Sequence, residues 1–324
     1  AWPPTLTDHL NTTKSKLAKQ IGKRGVMEVL GDMQLLVGPP EQLCISNAAL
    51  MMFCEHLDKF FPYTQVEITK FPEGSIKNPN NFIEVPVIKG SVPTMIKRTM
   101  EKLQDMVIEE KVTKVDYQME AIRRYSYPYQ ALEEAVVNAF YHRDYQSYQA
   151  IIIEIEPDCV RIISYPGIDR SISQKTIAEG ERFKSRYYRN KRLGEFLKEL
   201  DLTEGKSTGI PTIQEELRDN GSPKATFETD DERRAVTVEI PIHPDFLMEQ
   251  GEPQNEPQNE PQNATSVEDA ILQLIRMNKY VTREEMASQI EVSLSTVKRS
   301  INKLKTSGII EYEGPSKGGY WSIK

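Results

Sequence analysis

Apolar residues recur at two different spacings along the first 247 residues of the chain. Spacings of three and four residues predict helices, and strict alternation predicts strands with one buried face. Predicted helices cover residues 45–57, 93–109, 131–145, 173–180, 189–200 and 210–220. Predicted strands cover residues 33–37, 65–71, 82–88, 150–156, 159–165, 224–229 and 234–242. Helices interleaved with hairpins are typical of a two-layer α/β (α+β) sandwich with a mixed or antiparallel sheet.

The end of the chain shows helical spacing three times and then alternation. Helices are predicted at 267–277, 282–290 and 294–306, and strands at 309–313 and 320–323. Thr282 and Glu285 have the spacing of a capping box, which marks the start of the second of these helices. Three helices followed by a β-hairpin are the elements of a winged helix-turn-helix domain.

A repeat of EPQN, three copies long, occupies residues 252–263. A segment with proline at every fourth place and one acid per unit has nothing to bury, so we expect an extended, negatively charged linker. The predicted segments are an N-terminal remnant or extension (1–41), an α/β domain (42–247), the linker (248–265) and the winged-helix domain (266–324).

Composition narrows the class of protein only a little. The 324 residues are 38% hydrophobic and 27% charged, which is ordinary for a soluble globular protein. No apolar run approaches the roughly 18 residues that span a bilayer, so no membrane partner is expected. Three cysteines at unrelated spacings argue for a reducing, cytoplasmic setting, and the four histidines form no metal-ligand pattern with them. The net charge of −7 argues against a protein that binds polyanions over its whole surface, but it does not exclude a local basic patch.

That basic patch is predicted on the helix at 294–306, which contains no Asp or Glu. Its apolar positions face inward in the predicted fold, which leaves the polar positions for a groove of double-stranded DNA and the wing for a phosphate. The candidate DNA-binding residues are Ser295, Thr296, Lys298, Arg299, Asn302, Lys303 and, at the wing tip, Lys317. The alternative is a winged helix that serves protein contact or dimerisation.

The helix predicted at 131–145 carries the most suggestive polar pair. Glu134 and Asn138 are four residues apart and therefore lie on one face of the helix. The carboxylate can accept a proton from water, and the amide oxygen is a hard ligand of the kind that Mg²⁺ takes. The alternative is a core helix whose polar face is simply solvated.

The loop at 203–209, TEGKSTG, resembles a phosphate-binding loop only in part. Gly205, Lys206 and Ser207 fit the end of the Walker motif, but Leu200 replaces its first glycine and a helix precedes the loop, so we reject that assignment. Backbone N–H groups at the start of the next helix can still bind phosphate. A plain turn between helices is the alternative.

Four segments together resemble a known family. They are EEAVVNAFYHRDY at 133–145, RIISYPG at 161–167, RN at 189–190 and EGKSTGI at 204–210. In this order they resemble the C-terminal ATPase-like domain of Schlafen/AlbA-type transcriptional regulators, also described as RecG-like, which is similar to the GHKL nucleotide-binding fold. The resemblance covers about residues 42–246, and the family often ends in a winged helix. The AlbA-like module expected before this domain is missing or reduced to the first forty residues.

The resemblance implies ATP and Mg²⁺ as cofactors. It implies that Glu134 polarises water and that Asn138 holds the metal. It implies further nucleotide contacts from the matching motifs, at Arg143, Asp144, Gly167, Arg189, Asn190, Gly205, Ser207 and Gly209.

Two positions depart from the family pattern. Tyr165 stands where the family usually has Asn, and Ile168 replaces the second glycine of the turn, where a Cβ restricts close backbone approach. The acidic D-x-G-x-G that reads adenine in GHKL ATPases is also absent, with Asp169 displaced from its place. The resemblance therefore implies nucleotide binding more strongly than turnover.

The combined prediction is a cytoplasmic, homodimeric, DNA-binding transcriptional regulator with an ATP-binding-type domain that senses nucleotide. A dimer is expected because helix-turn-helix domains usually read paired half-sites. Two alternatives remain: an ATPase that acts in DNA repair or defence with weak hydrolysis, and a nucleotide-free DNA-binding scaffold.

Overall fold

The structure of the chain is a computed structural model. It describes residues 3–20, 23–114, 121–180, 188–203, 209–247, 267–290, 292, 294–306, 309–313 and 319–323. Within these ranges, the description is limited to the backbone at residues 178, 267–269, 284, 294, 295, 299, 302, 306 and 313. The chain divides into two compact units, Ala1–Pro253 and Gln254–Lys324. Gly205, Ser207, Lys317 and the whole of the predicted linker lie outside the described residues.

The first unit alternates helices and strands, as the apolar spacing predicts. Its described helices are α1 (Pro3–Thr12), α2 (Val26–Asp32), α3 (Asn47–Phe53), α4 (Val92–Val107), α5 (Tyr129–His142), α6 (Gln174–Ala178), α7 (Lys191–Glu199), α8 (Gly209–Asn220) and α9 (Pro244–Leu247). Its described strands are β1 (Leu36–Val37), β2 (Cys44–Ile45), β3 (Val66–Lys70), β4 (Ile83–Glu84), β5 (Glu110–Thr113), β6 (Ile122–Tyr125), β7 (Ile151–Ile155), β8 (Cys159–Ser164), β9 (Thr226–Thr229) and β10 (Val236–Pro241).

Six strands form the main sheet in the order β4-β3-β7-β8-β10-β9. Strand β3 runs parallel to β7, and the other neighbours are antiparallel, so the sheet is mixed. Alternate residues of β7 and β8 are buried, as in Ile153 and Ile162, whereas their neighbours Glu154 and Arg161 are partly exposed and form an ion pair of 2.9 Å. One face therefore joins the core, and the predicted α/β sandwich is confirmed.

Helix α5 lies in the core of this unit. Leu132, Ala135, Val136 and Phe140 are at most 1% exposed, as their helical spacing predicts. The helix ends three residues earlier than predicted, because Arg143 has an extended backbone with ψ of 144°.

The first forty residues are packed into the same core as α5. Leu6, Leu10, Val29, Leu30 and Leu35 are at most 2% exposed and belong to one apolar cluster with the sheet and its helices. This segment therefore contributes to the core of the first unit. That it is the remnant of an ancestral N-terminal module remains a prediction.

The hairpin β5–β6 was not predicted, since none of its strand residues is buried. Contacts from distant residues hold its base. The Asn220 amide donates to the Tyr125 carbonyl at 2.7 Å and accepts from the Tyr125 N–H at 2.9 Å. Arg124 also donates to Asp245 at 2.9 Å.

The second unit has the predicted winged-helix elements. They are α10 (Val267–Met277), α11 (Arg283–Ile290), α12 (Leu294–Thr306), β11 (Ile310–Glu313) and β12 (Tyr320–Ile323). The predicted capping box forms: the Thr282 N–H donates to Glu285 at 2.8 Å, and the Glu285 N–H donates to the Thr282 hydroxyl at 3.2 Å. Trp321 anchors the hairpin on the helices, since its indole N–H donates to the Val281 carbonyl at 3.0 Å.

No helix in the described part of the chain is both long and apolar enough to cross a membrane. The three cysteines are free thiols. Burial raises the pKa of the Cys159 thiol to about 12, which keeps it protonated and unreactive at neutral pH.

Candidate functional site

A cavity of about 200 Å³ opens in the first unit between α5, the sheet and α8. Its lining joins several of the predicted site residues, which come from segments far apart in the sequence. The predicted residues in the lining are Glu134, Asn138, Gly167, Arg189 and Gly209.

The polar end of the cavity is formed by the pair on α5. Both side chains are half-buried, and the Asn138 amide nitrogen donates to Glu134 Oε1 at 3.0 Å. Because the nitrogen is engaged in this way, the carbonyl oxygen of Asn138 is the atom of that amide that can ligate a cation. The pair thus offers oxygen ligands of the kind that suit Mg²⁺.

Helix α8 begins directly against this pair. A Cβ at Gly209 would lie 2.5 Å from Asn138 Nδ2 and 2.5 Å from Glu134 Oε1. A larger residue at this position would require the ends of the Glu134 and Asn138 side chains to move. The first N–H groups of a helix are available to anions, so the arrangement places a helix start with N–H donors beside a pair of side chains with oxygen ligands.

Gly167 lies in the turn that follows β8. A Cβ there would lie 2.6 Å from the Ala235 carbonyl oxygen and would also overlap Thr229. The Gly167 N–H donates to the Arg233 carbonyl at 2.9 Å. These contacts explain the need for glycine by packing against the β9–β10 connection, independently of any ligand.

Arg189 forms part of the cavity rim and lies 3.7 Å from the Asp144 carboxylate. Asp144 itself is not in the lining, and its backbone N–H donates to the Tyr165 carbonyl at 2.9 Å. Asn190 also lies outside the lining, where its amide donates to the Tyr141 and Arg143 carbonyls at 2.8 and 2.7 Å. Asn190 therefore satisfies carbonyls at the end of α5.

Arg143 is 1% exposed and does not line the cavity. Its Nη2 donates to the Tyr63 carbonyl at 3.1 Å, and burial lowers the pKa of its guanidinium. Its observed contact joins the end of α5 to the turn before β3. A nucleotide contact from Arg143 remains a prediction.

Aromatic rings, which sequence reasoning did not assign, flank the same rim. Tyr141 and Tyr188 stack at 5.2 Å between ring centroids, and the His142 ring lies 5.9 Å from Tyr188. All three line the cavity. Tyr188 directly precedes the RN motif, but a single tyrosine before a motif gives no signal by itself.

The stability of the fold is expected to depend on His142 between pH 6.5 and 4. The His142 ring is exposed but lies in the cavity lining, where desolvation and the nearby Arg189 cation lower its pKa to about 4. Because solvent screens an exposed group, the effect on stability is small. Because the unfolded chain binds this proton near pH 6.5, the contribution of neutral His142 is complete above pH 6.5 and is lost as pH falls towards 4. The free energy of unfolding, measured with urea, should fall less between pH 7.5 and pH 5 for His142→Gln than for the parent protein.

The exposed His56 provides the matched control, since His56→Gln should lose as much stability as the parent. Comparison with the parent is needed because burial also lowers the pKa of His9 and of His243. An equal loss in His142→Gln and the parent would contradict the assignment.

The lining of the cavity has an apolar part. Ile162 from β8, Val238 from β10, Phe227 from β9 and Ile213 from α8 meet there. Alternation within each strand predicts which residues face inward, but only the strand order shows that they line one cavity. Among the described residues, no group of three or more His, Cys, Asp or Glu side chains can hold a metal by itself. A Mg²⁺ ion here would need phosphate oxygens as additional ligands.

The candidate DNA-binding surface lies on α12 in the second unit. Val297, Ile301 and Leu304 are at most 4% exposed and face the core, as predicted. Lys298 and Lys303 are exposed, and Thr296 is half-buried. The side chains of Ser295, Arg299 and Asn302 lie outside the described set.

Comparison with known proteins identifies two domains. Residues 149–239 match the family described as "Putative ATP-dependent DNA helicase recG C-terminal", and residues 267–320 match the family described as "HTH domain". The chain thus contains an ATPase-like domain similar to the RecG C-terminal family and a C-terminal helix-turn-helix domain, and the resemblance inferred from its motifs is confirmed. The matched range begins after α5, so it includes neither Glu134 nor Asn138.

One solved structure supports the fold alone. It is the DIP2311 protein from Corynebacterium diphtheriae, with 16% sequence identity and a TM-score of 0.53. The alignment covers 99% of this chain and 63% of that chain, so this chain spans less than two thirds of the other's length. No curated protein matches the sequence.

Proposed function

We propose that this protein is a DNA-binding transcriptional regulator whose first unit binds ATP with Mg²⁺. The observation that carries the proposal is the cavity in which Glu134, Asn138 and the start of α8 at Gly209 converge. The RecG C-terminal-like match on the same unit and the helix-turn-helix match on the second unit support the two halves of the proposal.

The donor atoms at the polar end fit the proposed cofactors. Asn138 would hold Mg²⁺ through its carbonyl oxygen, and the N–H groups at the start of α8 would bind phosphate oxygens. Arg189 at the rim supplies a cation for a further phosphate oxygen. When bound, the metal would offset phosphate charge and orient the nucleotide.

Nucleotide binding is tested first by thermal unfolding with Asn138→Ala. At 100 times its Kd, Mg-ATP stabilises the folded state by about 2.7 kcal/mol, which for a unit of this size corresponds to roughly 5–10 °C in Tm. Asn138→Ala should weaken binding at least about tenfold, because it removes the metal ligand. Gln130→Ala alters an exposed amide on the same helix outside the cavity and should leave the shift unchanged. No shift in the parent protein would favour a nucleotide-free scaffold.

Hydrolysis is the second candidate function, because Glu134 lies in the cavity beside the proposed metal ligand. A positioned general base typically contributes 10²–10⁴-fold to a rate. If the protein hydrolyses ATP, phosphate release should disappear in Glu134→Gln and persist in Glu133→Gln, whose carboxylate lies outside the cavity lining. Release at background level in the parent protein would exclude this candidate.

We further propose a cytoplasmic homodimer in which nucleotide binding changes DNA affinity. Paired helix-turn-helix domains read half-sites about one helical turn apart, which supports a dimer. Light scattering should give twice the 37.1 kDa mass of the chain. DNA affinity measured with and without Mg-ATP should differ, and equal affinities would contradict nucleotide sensing.

A further inference from the structure

The apolar end of the cavity determines which ring system can bind there. Strand register places Ile162 opposite Val238, and Val238 opposite Phe227, in one row across the sheet. Ile162 and Phe227 are at most 5% exposed, and Ile213 of α8 lines the same cavity. The phosphates of a nucleotide require the polar end near Glu134, so its base would meet these apolar side chains.

The next row of the sheet offers very little polarity. Register places Ser164 opposite Val236, and Val236 opposite Thr229. The Thr229 hydroxyl already donates to the Ala235 carbonyl at 2.6 Å, and Thr229 is not in the lining. Of the described sheet residues that line the cavity, Ser164 is therefore the only one with a polar side chain.

A serine hydroxyl does not select between purines in the way that a carboxylate does. A carboxylate only accepts hydrogen bonds, so it selects the purine that presents donors at the edge facing it: adenine where it faces the 6-amino group, or guanine where it faces N1–H and the 2-amino group. A hydroxyl both donates and accepts, and it rotates to suit either base. The described carboxylates of the lining do not replace it, because Glu134 is at the polar end and Asp169 is exposed, with Oδ1 accepting from the Ser171 N–H at 2.9 Å.

We infer that the site binds purine nucleoside triphosphates with little discrimination between adenine and guanine. The inference rests on the proposed function, since it concerns the same cavity. Strong discrimination requires buried polar groups that one ligand satisfies and the other leaves unpaired. The described sheet wall, with aliphatic and aromatic side chains and one adaptable hydroxyl, supplies no such penalty, and the other polar side chains of the described lining come from helices and loops.

The test is calorimetric titration of the full chain with ATP and with GTP in the presence of Mg²⁺. The two Kd values should agree within about tenfold, because the hydroxyl pairs with either base. Ser164→Ala should weaken both nucleotides by about fivefold, the loss of one hydrogen bond, and leave their ratio unchanged. Thr237 lies between the lining residues Val236 and Val238 on β10, so Thr237→Ala removes a hydroxyl from the opposite face of the same sheet and should change neither Kd.

The outcomes separate this inference from the function on which it rests. A Kd for ATP that is more than about tenfold below that for GTP, or the reverse, would overturn the lack of discrimination while supporting a nucleotide site. A change in the ATP-to-GTP ratio in Ser164→Ala would also overturn it. Absence of binding by both nucleotides would refute the proposed nucleotide site and this inference with it.

Discussion

Replacement of Gly209 by alanine is expected to abolish binding of Mg-ATP. The added Cβ would lie 2.5 Å from both Asn138 Nδ2 and Glu134 Oε1, closer than unbonded atoms can approach. Either the start of α8 or the polar pair must move, and both movements separate the proposed metal ligand from the helix end. Because the atoms that must move are the ends of two half-buried side chains, the cost in the free energy of unfolding should be at the low end of the roughly 1–3 kcal/mol typical of overpacking. Calorimetric titration and urea unfolding measure the two effects.

Gly31→Ala is the matched control for this change. Gly31 is also in a helix, but its Cβ would meet only Leu36 Cδ1, at an ordinary distance of 3.7 Å. We expect unchanged nucleotide binding and equal or slightly greater stability, since alanine favours a helix more than glycine does. Parent-like ATP affinity in Gly209→Ala would show that the close approach of α8 is not required by the site.

The double substitution of Arg299 and Lys303 by alanine is expected to weaken DNA binding by one to two orders of magnitude. Both residues lie on α12, which contains no acidic residue and whose apolar side is buried in the second unit. The logarithm of the affinity falls as the logarithm of the salt concentration rises, and each phosphate contact contributes about 0.9 to the steepness of this fall. Loss of two contacts should therefore make the slope shallower by roughly 2. Fluorescence anisotropy at several salt concentrations, with duplex DNA from upstream of its own gene, measures affinity and slope together.

Lys175→Ala tests whether loss of charge alone accounts for the effect. Lys175 is exposed on α6 in the first unit, where it forms a surface ion pair with Glu179 at 3.7 Å. This variant should retain the parent affinity and salt dependence. Unchanged binding by the double variant would instead favour a winged helix that serves protein contacts.

Local signals predicted the second unit almost completely. The capping box at Thr282 and the helical spacing of Val297, Ile301 and Leu304 depend only on residues within one or two turns. The observed bounds of α12 agree with the predicted ones for the same reason. The base of the β5–β6 hairpin, in contrast, is held by Asn220 and Asp245, about a hundred residues away, and no local pattern indicates such contacts.

Only the tertiary structure distinguishes the motif residues that line the cavity from those that lie outside it. Arg143 and Asn190 belong to the same motifs as the residues that line the cavity, yet their side chains bind backbone carbonyls outside it. Motif membership records that a residue is needed. It does not distinguish a ligand contact from a contact that supports the end of a helix.

The sequence alone determined that Glu134 and Asn138 share one face of a buried helix, because a spacing of four residues imposes this geometry. It also determined the helix-turn-helix elements, through capping and periodicity. Only the tertiary structure decided that Gly209 lies against that pair and that Ser164 is the one polar side chain on the described sheet wall of the cavity. Those two features depend on strand order and on how α8 packs, and both are set by contacts between residues distant along the chain.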